Sequence, residues 1–341
     1  MKYIDITSRR YIGNKSKLSD WIFDNIQKYT NGDSFFDVFA GTGAISSKAL
    51  NFYDNIYIND FLVSNNLIYK AFFENQEYNI DKLNNIVNYF NSLDSKQLIE
   101  NYFDKNFGNK YFGTYDARKI GFIREELSNL KIHKKINDKE YNILLSSLIY
   151  SIDKIANTVG HYEAYIKNSI TDNKLHINII NIFNTKNKKI SIYKEDANKL
   201  APNIFSDIVF LDPPYNSRQY SRFYHLIENL VEWEKPQLFG VALKPKGKNM
   251  SEYCRRKAHE VFNDLILSLN CRYIVTTYNN TYNSKSSSSI NKISFEEILK
   301  SLNSVGKTKV FEKDYNYFNA GKTNFNNHKE FLFITEVTNE K

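Results

Sequence analysis

The stretch from Ser34 to Asp60 constrains the fold more than any other part of the chain. Ser34-Phe35-Phe36-Asp37-Val38-Phe39 is a short apolar run of the kind that makes a buried strand, and it leads straight into Ala40-Gly41-Thr42-Gly43. Ala44 to Phe52 then carries a helical pattern, and Asn55-Ile56-Tyr57-Ile58-Asn59-Asp60 is a second strand closed by an acid. Strand, glycine turn, helix, strand, acid is the opening half of a doubly wound, mostly parallel α/β sheet. Glycines at a strand end let the backbone approach a ligand in the crevice at the carboxyl ends of the strands. The turn is not the dinucleotide fingerprint, because Ser46 stands where a third glycine would be, and no Gly-Lys-Ser/Thr follows to make a P-loop. Asp60 strengthens the nucleotide reading, since an acid ending the second strand is where such folds hydrogen-bond the ribose of an adenosine-containing cofactor.

The sheet pattern breaks off after this unit and resumes near Ile190. Ile190-Ser191-Ile192-Tyr193 is a strand followed by Glu195-Asp196-Ala197, and Asp207-Ile208-Val209-Phe210-Leu211 is another, delivering Asp212-Pro213-Pro214-Tyr215. Cys271 to Tyr278 is a third, and Glu330-Phe331-Leu332-Phe333-Ile334-Thr335 is expected as a last, antiparallel edge strand. Between them, residues 63–189 are rich in Asn, Lys, Tyr and Ile, with helical patches at Leu83–Phe90 and Tyr141–Ala156 and no strand–glycine–helix repeat. The expected organisation is a catalytic domain from residues 1–62 and 190–341, interrupted by a mainly helical insertion at 63–189.

Composition narrows the partners. With 46 Lys and Arg against 38 Asp and Glu, the formal charge is +8, which suits a polyanion whose condensed counterions are released on binding. The 25 Tyr and 25 Phe serve core packing or stacking on unpaired bases, and composition does not choose between them. Two cysteines, Cys254 and Cys271, make neither a disulfide framework nor a metal cluster, so no metal is expected. No run of eighteen or more apolar residues occurs, and Met1-Lys2-Tyr3-Ile4-Asp5 lacks the apolar region of an export signal. A cytoplasmic protein without a membrane partner, a monomer or weak dimer, is the expectation.

The sharpest chemical signal is Asp212-Pro213-Pro214-Tyr215. Consecutive prolines fix the backbone and remove two N–H donors, so nearby carbonyl oxygens project in set directions. Asp212 adds a carboxylate acceptor, and Tyr215 a ring able to stack on a planar base. Such a set is suited to gripping an exocyclic amine whose two hydrogens must be accepted while its ring is clamped.

These segments, in this order, resemble the Dam-like (alpha-group) adenine-N6 DNA methyltransferases, with their Rossmann-like sheet. Arg10-Tyr11-Ile12-Gly13-Asn14-Lys15 looks like that family's N-terminal cofactor-side motif, Asp37 to Gly43 its glycine loop, and Asp60 its ribose-binding acid. Asp196 sits where an acid meets the cofactor adenine, and Asp212-Pro213-Pro214-Tyr215 matches the catalytic motif. Together the matching segments cover a little under half of the chain. The family carries its target-recognition domain between the two halves, where the insertion lies. The resemblance implies S-adenosylmethionine as cofactor, held by Tyr11, Asn14, Lys15, Asp37, Phe39, Gly41, Gly43, Asp60, Asp196 and Asp212. It implies duplex DNA as substrate, with a cognate restriction endonuclease as a further partner, and a target adenine rotated out of the helix. The adenine stacks on Tyr215 while its amine donates to Asp212 and the Pro213 carbonyl, and methyl transfer proceeds in line.

His161 and Tyr162, within the segment Asn157–Tyr165 that resembles part of some type II and type IIS members, are candidate DNA contacts. Arg218, Lys246 and Lys248 are candidate phosphate contacts, the lysines within Lys244-Pro245-Lys246-Gly247-Lys248, although charge runs also serve as solvated faces. Ser284 to Ser289 is expected as a flexible loop. Within methyltransferases, cytosine-N4 enzymes usually carry Ser in place of Asp212 and amide-nitrogen enzymes Asn, so Asp favours adenine. Neither cysteine follows a proline, which argues against cytosine-C5 chemistry. Adenine in RNA stays open, because stacking and amine capture work equally on single strands.

Overall fold

Seven strands form one sheet: β1 (Ser34–Asp37), β2 (Asn55–Asn59), β3 (Lys189–Tyr193), β4 (Phe205–Leu211), β5 (Asn270–Asn279), β6 (Gly306–Asp314) and β7 (Lys329–Val337). The computed structural model describes residues 4–167, 170–172, 174–280, 291–314 and 329–338, so the loop expected at Ser284 to Ser289 lies outside the described residues. The spatial order is β3-β2-β1-β4-β5-β7-β6. From β3 to β5 every pairing is parallel, whereas β7 runs antiparallel to both β5 and β6. The chain moves outward from β1 to β2 and β3, then returns to β1's other side with β4. The order switches between β1 and β4, and the carboxyl ends of the strands at such a switch point are where sheets of this kind bind ligands.

The expected α/β architecture is therefore present, with one correction at the rim. The strand at Glu330–Thr335 is antiparallel as anticipated, but it is not the edge, because β6 pairs along its outer side. β6 reads Gly306-Lys307-Thr308-Lys309-Val310-Phe311-Glu312-Lys313-Asp314, and most of these side chains face solvent. An exposed edge strand buries no apolar face and so leaves almost no period-two signal; its lysines are a usual guard on an unpaired edge.

The chain divides into two compact units. The sheet unit comprises Asn14–Phe61, Asn187–Tyr220 and Asn249–Lys341; the helical unit comprises Met1–Gly13, Leu62–Lys186 and Ser221–Lys248. The helical unit contains helices at Val63–Phe73, Ile80–Ser92, Tyr102–Phe107, Thr114–Ile132, Asp138–Ile155 and His225–Glu232. The helix Asp138–Ile155 starts at a capping box, Asn137 with Glu140, and is buried almost all the way round, as a central helix must be. Its Lys139 is buried too. The ammonium donates to the carbonyls of Lys70 (2.9 Å), Ala71 (2.8 Å) and Glu74 (2.6 Å), satisfying the open end of the helix Val63–Phe73. Among the described residues, no helix is long and apolar enough to cross a membrane.

Candidate active site

The site grows from the glycine turn after β1. Gly41 (φ 53°) and Gly43 (φ 77°) are both left-handed, which a side chain would strain, and the Gly43 N–H closes the turn on the Ala40 carbonyl at 2.7 Å. Asp60, just past β2, accepts the Gly41 N–H at 2.9 Å, tying the turn to the neighbouring strand. Asn59 completes the scaffold. Its side-chain amide donates to the carbonyls of Val38 and Glu195, both at 3.1 Å, and its carbonyl accepts the Glu195 N–H at 3.0 Å, so one buried side chain at the end of β2 bridges the loops after β1 and β3. Asp196, beyond β3, caps the short helix Ala197–Leu200 through the N–H groups of Asn198 and Lys199.

Asp37 ends β1 and is buried. Ser46 donates to its Oδ2 at 2.6 Å, while Oδ1 is buried with no hydrogen-bond partner among the described residues. Burial raises this carboxyl to about 7 against the pull of Ser46, with Asp212 and Asp60 adding like charge. Phe39 is half-buried, its ring edge-on to Tyr253 at 5.1 Å. Ser46, in the sequence only the place of a missing glycine, turns out to serve the acid of the turn.

Asp212 follows β4, on the other side of the switch point. Its Oδ1 accepts from the Thr277 hydroxyl at 2.8 Å and lies 3.2 Å from the Lys15 ammonium. Glu330 Oε2, from β7, faces the same ammonium at 3.8 Å. Pro213 is buried and Pro214 half-buried beside it. Asn14 accepts the Ser16 N–H at 2.9 Å and lies 3.5 Å from the Thr42 hydroxyl, so the motif before the first helix reaches the glycine turn. The sheet unit thus gathers Asn14, Lys15, Asp37, Gly41, Gly43, Asp60, Asp196 and Asp212 around the carboxyl ends of its first four strands.

Tyr215 departs from the expectation of an open stacking platform. It is 6% exposed, its ring sits edge-on to Tyr278 at 5.0 Å, and its hydroxyl donates to the Thr277 carbonyl. In this arrangement the ring belongs to the core, because an apolar pocket and a backbone acceptor together satisfy both its face and its hydroxyl.

The remaining predicted residues have surroundings of their own. Tyr11 lies in the helical unit, stacked on Tyr224 at 4.5 Å. His161 is half-buried there, edge-on to Phe223 at 4.8 Å, and its Nδ1 accepts the Glu163 N–H. Tyr162 is 3% exposed and donates to Asp153 at 2.6 Å, so its expected reach toward a DNA groove is replaced by a core role. Lys246 is exposed; Lys248, also exposed, is paired with Glu234 at 2.5 Å. Arg218, in the sheet unit, is half-buried and its carbonyl accepts from Cys254 at 3.2 Å.

Comparison with known proteins decides the family. Residues 11–282 match the D12 class N6 adenine-specific DNA methyltransferase family. The chain belongs to that family. It is 30% identical over 353 residues to the type II methyltransferase M.NlaIII of Neisseria lactamica, covering 96% of this chain and 99% of that protein. It is 34% identical over 287 residues to the modification methylase StsI of Streptococcus sanguinis, 80% of this chain but 44% of that protein. The type II methyltransferase M.FokI of Planomicrobium okeanokoites is 30% identical over 346 residues, 52% of its own length. The methyltransferase thus spans about half or less of two of these relatives and nearly all of the third. Thr277 and Glu330 carry no signal in the sequence: one lies near the end of β5 and the other at the start of β7, and their proximity to Asp212 depends on the pairing of β5 with β4 and β7, which no local pattern encodes.

Proposed function

We propose that the chain is a site-specific DNA methyltransferase of the Dam-like, alpha-group arrangement, transferring a methyl group from S-adenosylmethionine to N6 of an adenine rotated out of duplex DNA. The observation that carries this is Asp212, the acid of the Asp-Pro-Pro-Tyr motif, held by Thr277 and Lys15 at the switch point of the sheet. The relatives' names, modification methylase and type II methyltransferase, support a place in a restriction–modification system with a cognate endonuclease. The motif order, glycine turn then helical segments then Asp212, supports the alpha-group assignment and a target-recognition role for the helical unit.

The cofactor side fits its proposed guest. A buried Asp37 oxygen without a partner among the described residues suits a donor group or a cationic end, and the Asp60 carboxylate beside a left-handed glycine turn suits vicinal ribose hydroxyls. S-adenosylmethionine, when bound, supplies a methyl group activated on a sulfonium. Tyr11, Asn14, Lys15, Phe39, Gly41, Gly43 and Asp196 complete the proposed cofactor set. Asp60→Ala is expected to weaken cofactor binding by about tenfold or more, since hydrogen bonds to a charged group contribute about 1.5–3 kcal/mol. The rate at saturating cofactor should change far less; titration calorimetry showing an unaltered affinity would remove Asp60 from this role.

On the DNA side, Asp212 and the Pro213 carbonyl accept the two amine hydrogens, which favours a pyramidal nitrogen whose lone pair points at the methyl group. Tyr215 stacks on the adenine only by leaving Tyr278 and giving up its bond to Thr277. Tyr215→Leu keeps the core filled but removes the aromatic face, so the flipped state should weaken by about 1–3 kcal/mol. Fluorescence of 2-aminopurine at the target position reads this directly, and an unchanged signal would exclude the stacking role. His161, Arg218, Lys246 and Lys248 are the proposed DNA contacts; Lys248 must exchange Glu234 for a phosphate to serve.

The deciding experiment incubates the protein with methyl-labelled S-adenosylmethionine and duplex DNA or RNA, then identifies the modified base. Label on adenine N6 in DNA is expected. Methylcytosine, or label on RNA alone, would overturn the reading.

A further inference from the structure

Glu330 is the second residue of β7, opposite Asn279 near the carboxyl end of β5. The positions that follow along the strand, Leu332, Phe333 and Ile334, are apolar and buried, as a strand interior ordinarily is. Glu330 is 5% exposed, and its Oε2 is buried with no hydrogen-bond partner among the described residues, 3.8 Å from the Lys15 ammonium. A carboxylate kept out of water on one side of a single cation is a cost to the fold that an apolar residue would avoid. Such a cost is retained where the charge is used.

We propose that Glu330 is a positioning residue for methyl transfer, holding Lys15 beside Asp212 and balancing its charge. The proposal deepens the reading in which Asp212 captures the adenine amine, and it rests on that reading. In the transfer, the amine nitrogen gives its lone pair to the methyl carbon as the carbon–sulfur bond breaks, its pair staying on sulfur. The nitrogen becomes cationic and then gives one proton to the Asp212 carboxylate, which passes it to water. Lys15, 3.2 Å from Asp212, opposes that developing charge if it stands alone. With Glu330 ionised, the group Lys15, Asp212 and Glu330 carries one net negative charge and favours the cationic nitrogen. With Glu330 neutral, the group carries none.

Among the described residues, the charged and titratable groups facing Glu330 are Lys15 from the segment before the first helix, and Asp212 and Tyr215 from the turn after β4. On β6, Lys313 is opposite in register, but its ammonium reaches toward the Trp21 ring at 5.7 Å. Burial raises the Glu330 carboxyl to about 7; Lys15 draws it down and Asp212 pushes it up. A carboxyl whose folded value lies above its unfolded value destabilises the fold progressively as pH rises between the two, here from about 4.5 to about 7.

The test is Glu330→Gln, which keeps the shape and removes the charge. Single-turnover methylation of duplex DNA at saturating cofactor should slow by about tenfold or more, with cofactor and DNA dissociation constants within about twofold of the parent. The parent rate should rise through neutral pH, and the variant should lack that limb. Glu330→Asp should recover part of the rate, as a charge role requires. In the protein without cofactor, the variant should melt several degrees higher than the parent near pH 8, with the difference shrinking as pH falls and vanishing below about pH 4. A parent-like rate and pH profile, or a loss of cofactor affinity matching the loss of rate, would overturn the proposal. So would a melting difference that ignores pH. Failure of the parent protein to methylate adenine would instead overturn the amine-capture reading, and the melting series would still report whether Glu330 is the strained carboxylate.

Discussion

Asp212→Ala is expected to abolish methyl transfer, by about a thousandfold or more, while cofactor and DNA affinities stay within about threefold of the parent. The residue lies on the far side of the switch point from the turn that is proposed to hold the cofactor. The Gly41–Asp60 contact and the Asn59 bridges do not involve it. Removing the carboxylate takes a partner from the Thr277 hydroxyl and from Lys15, but Lys15 keeps Glu330 as a counter-charge. The fold should therefore survive. Asp212→Asn is a stricter version, since it presents an amide N–H as well as an oxygen to the amine it must accept from. Equilibrium binding of S-adenosylmethionine, band-shift titration of DNA, and single-turnover methylation separate the three effects. A cofactor affinity that falls as far as the rate would move Asp212 from amine capture to cofactor binding.

The second large effect concerns stability of the helical unit. Arg9 is buried there with its Nε 3.3 Å from Asp153 Oδ2 and its Nη1 donating to Asn65 at 3.0 Å, while Nη2 has no hydrogen-bond partner among the described residues. The guanidinium also lies over the rings of Tyr11 (5.6 Å) and Tyr224 (5.9 Å). Asp153 accepts the Tyr162 hydroxyl at 2.6 Å on its other oxygen. Asp153→Ala strands a buried cation and a buried hydroxyl together, and should cost about 3–5 kcal/mol. Urea unfolding of the full chain measures it. Combining the change with Arg9→Met should recover most of the loss, because the stranded charge, rather than the lost attraction, is the larger penalty. A cost below about 1 kcal/mol for the single variant would mean that water reaches Arg9.

What could be read from the sequence, and what could not, follows from where each signal resides. The parallel strands announced themselves because a strand covered on both faces is an unbroken apolar run, and each acid at a strand end, Asp37, Asp60 and Asp212, marked the crevice. β6 was invisible because its side chains face water, and β7 was therefore mistaken for the rim. The Glu330 role was hidden for a different reason. The residue looks like the polar start of a strand until the antiparallel return beside β5 brings it to Lys15. Tyr162, a candidate DNA contact in the sequence, is buried because Asp153, nine residues earlier, supplies an acceptor for its hydroxyl.

The interleaving of the two units carries a consequence for how the molecule is made. β1 must find β4, with Phe35 opposite Ile208, so a strand formed early in synthesis waits for a partner roughly 170 residues later, about 10–35 s at ribosomal speed. The helical unit fares no better, since it draws on residues up to Lys248. Neither unit can be closed by a continuous piece of nascent chain. Translation should expose apolar strand and helix faces for much of its course, making the yield of active protein sensitive to chaperone supply and to elongation rate. It also means that cutting the gene at the boundaries of the helical insertion, Leu62 and Lys186, would isolate fragments lacking segments their own cores require.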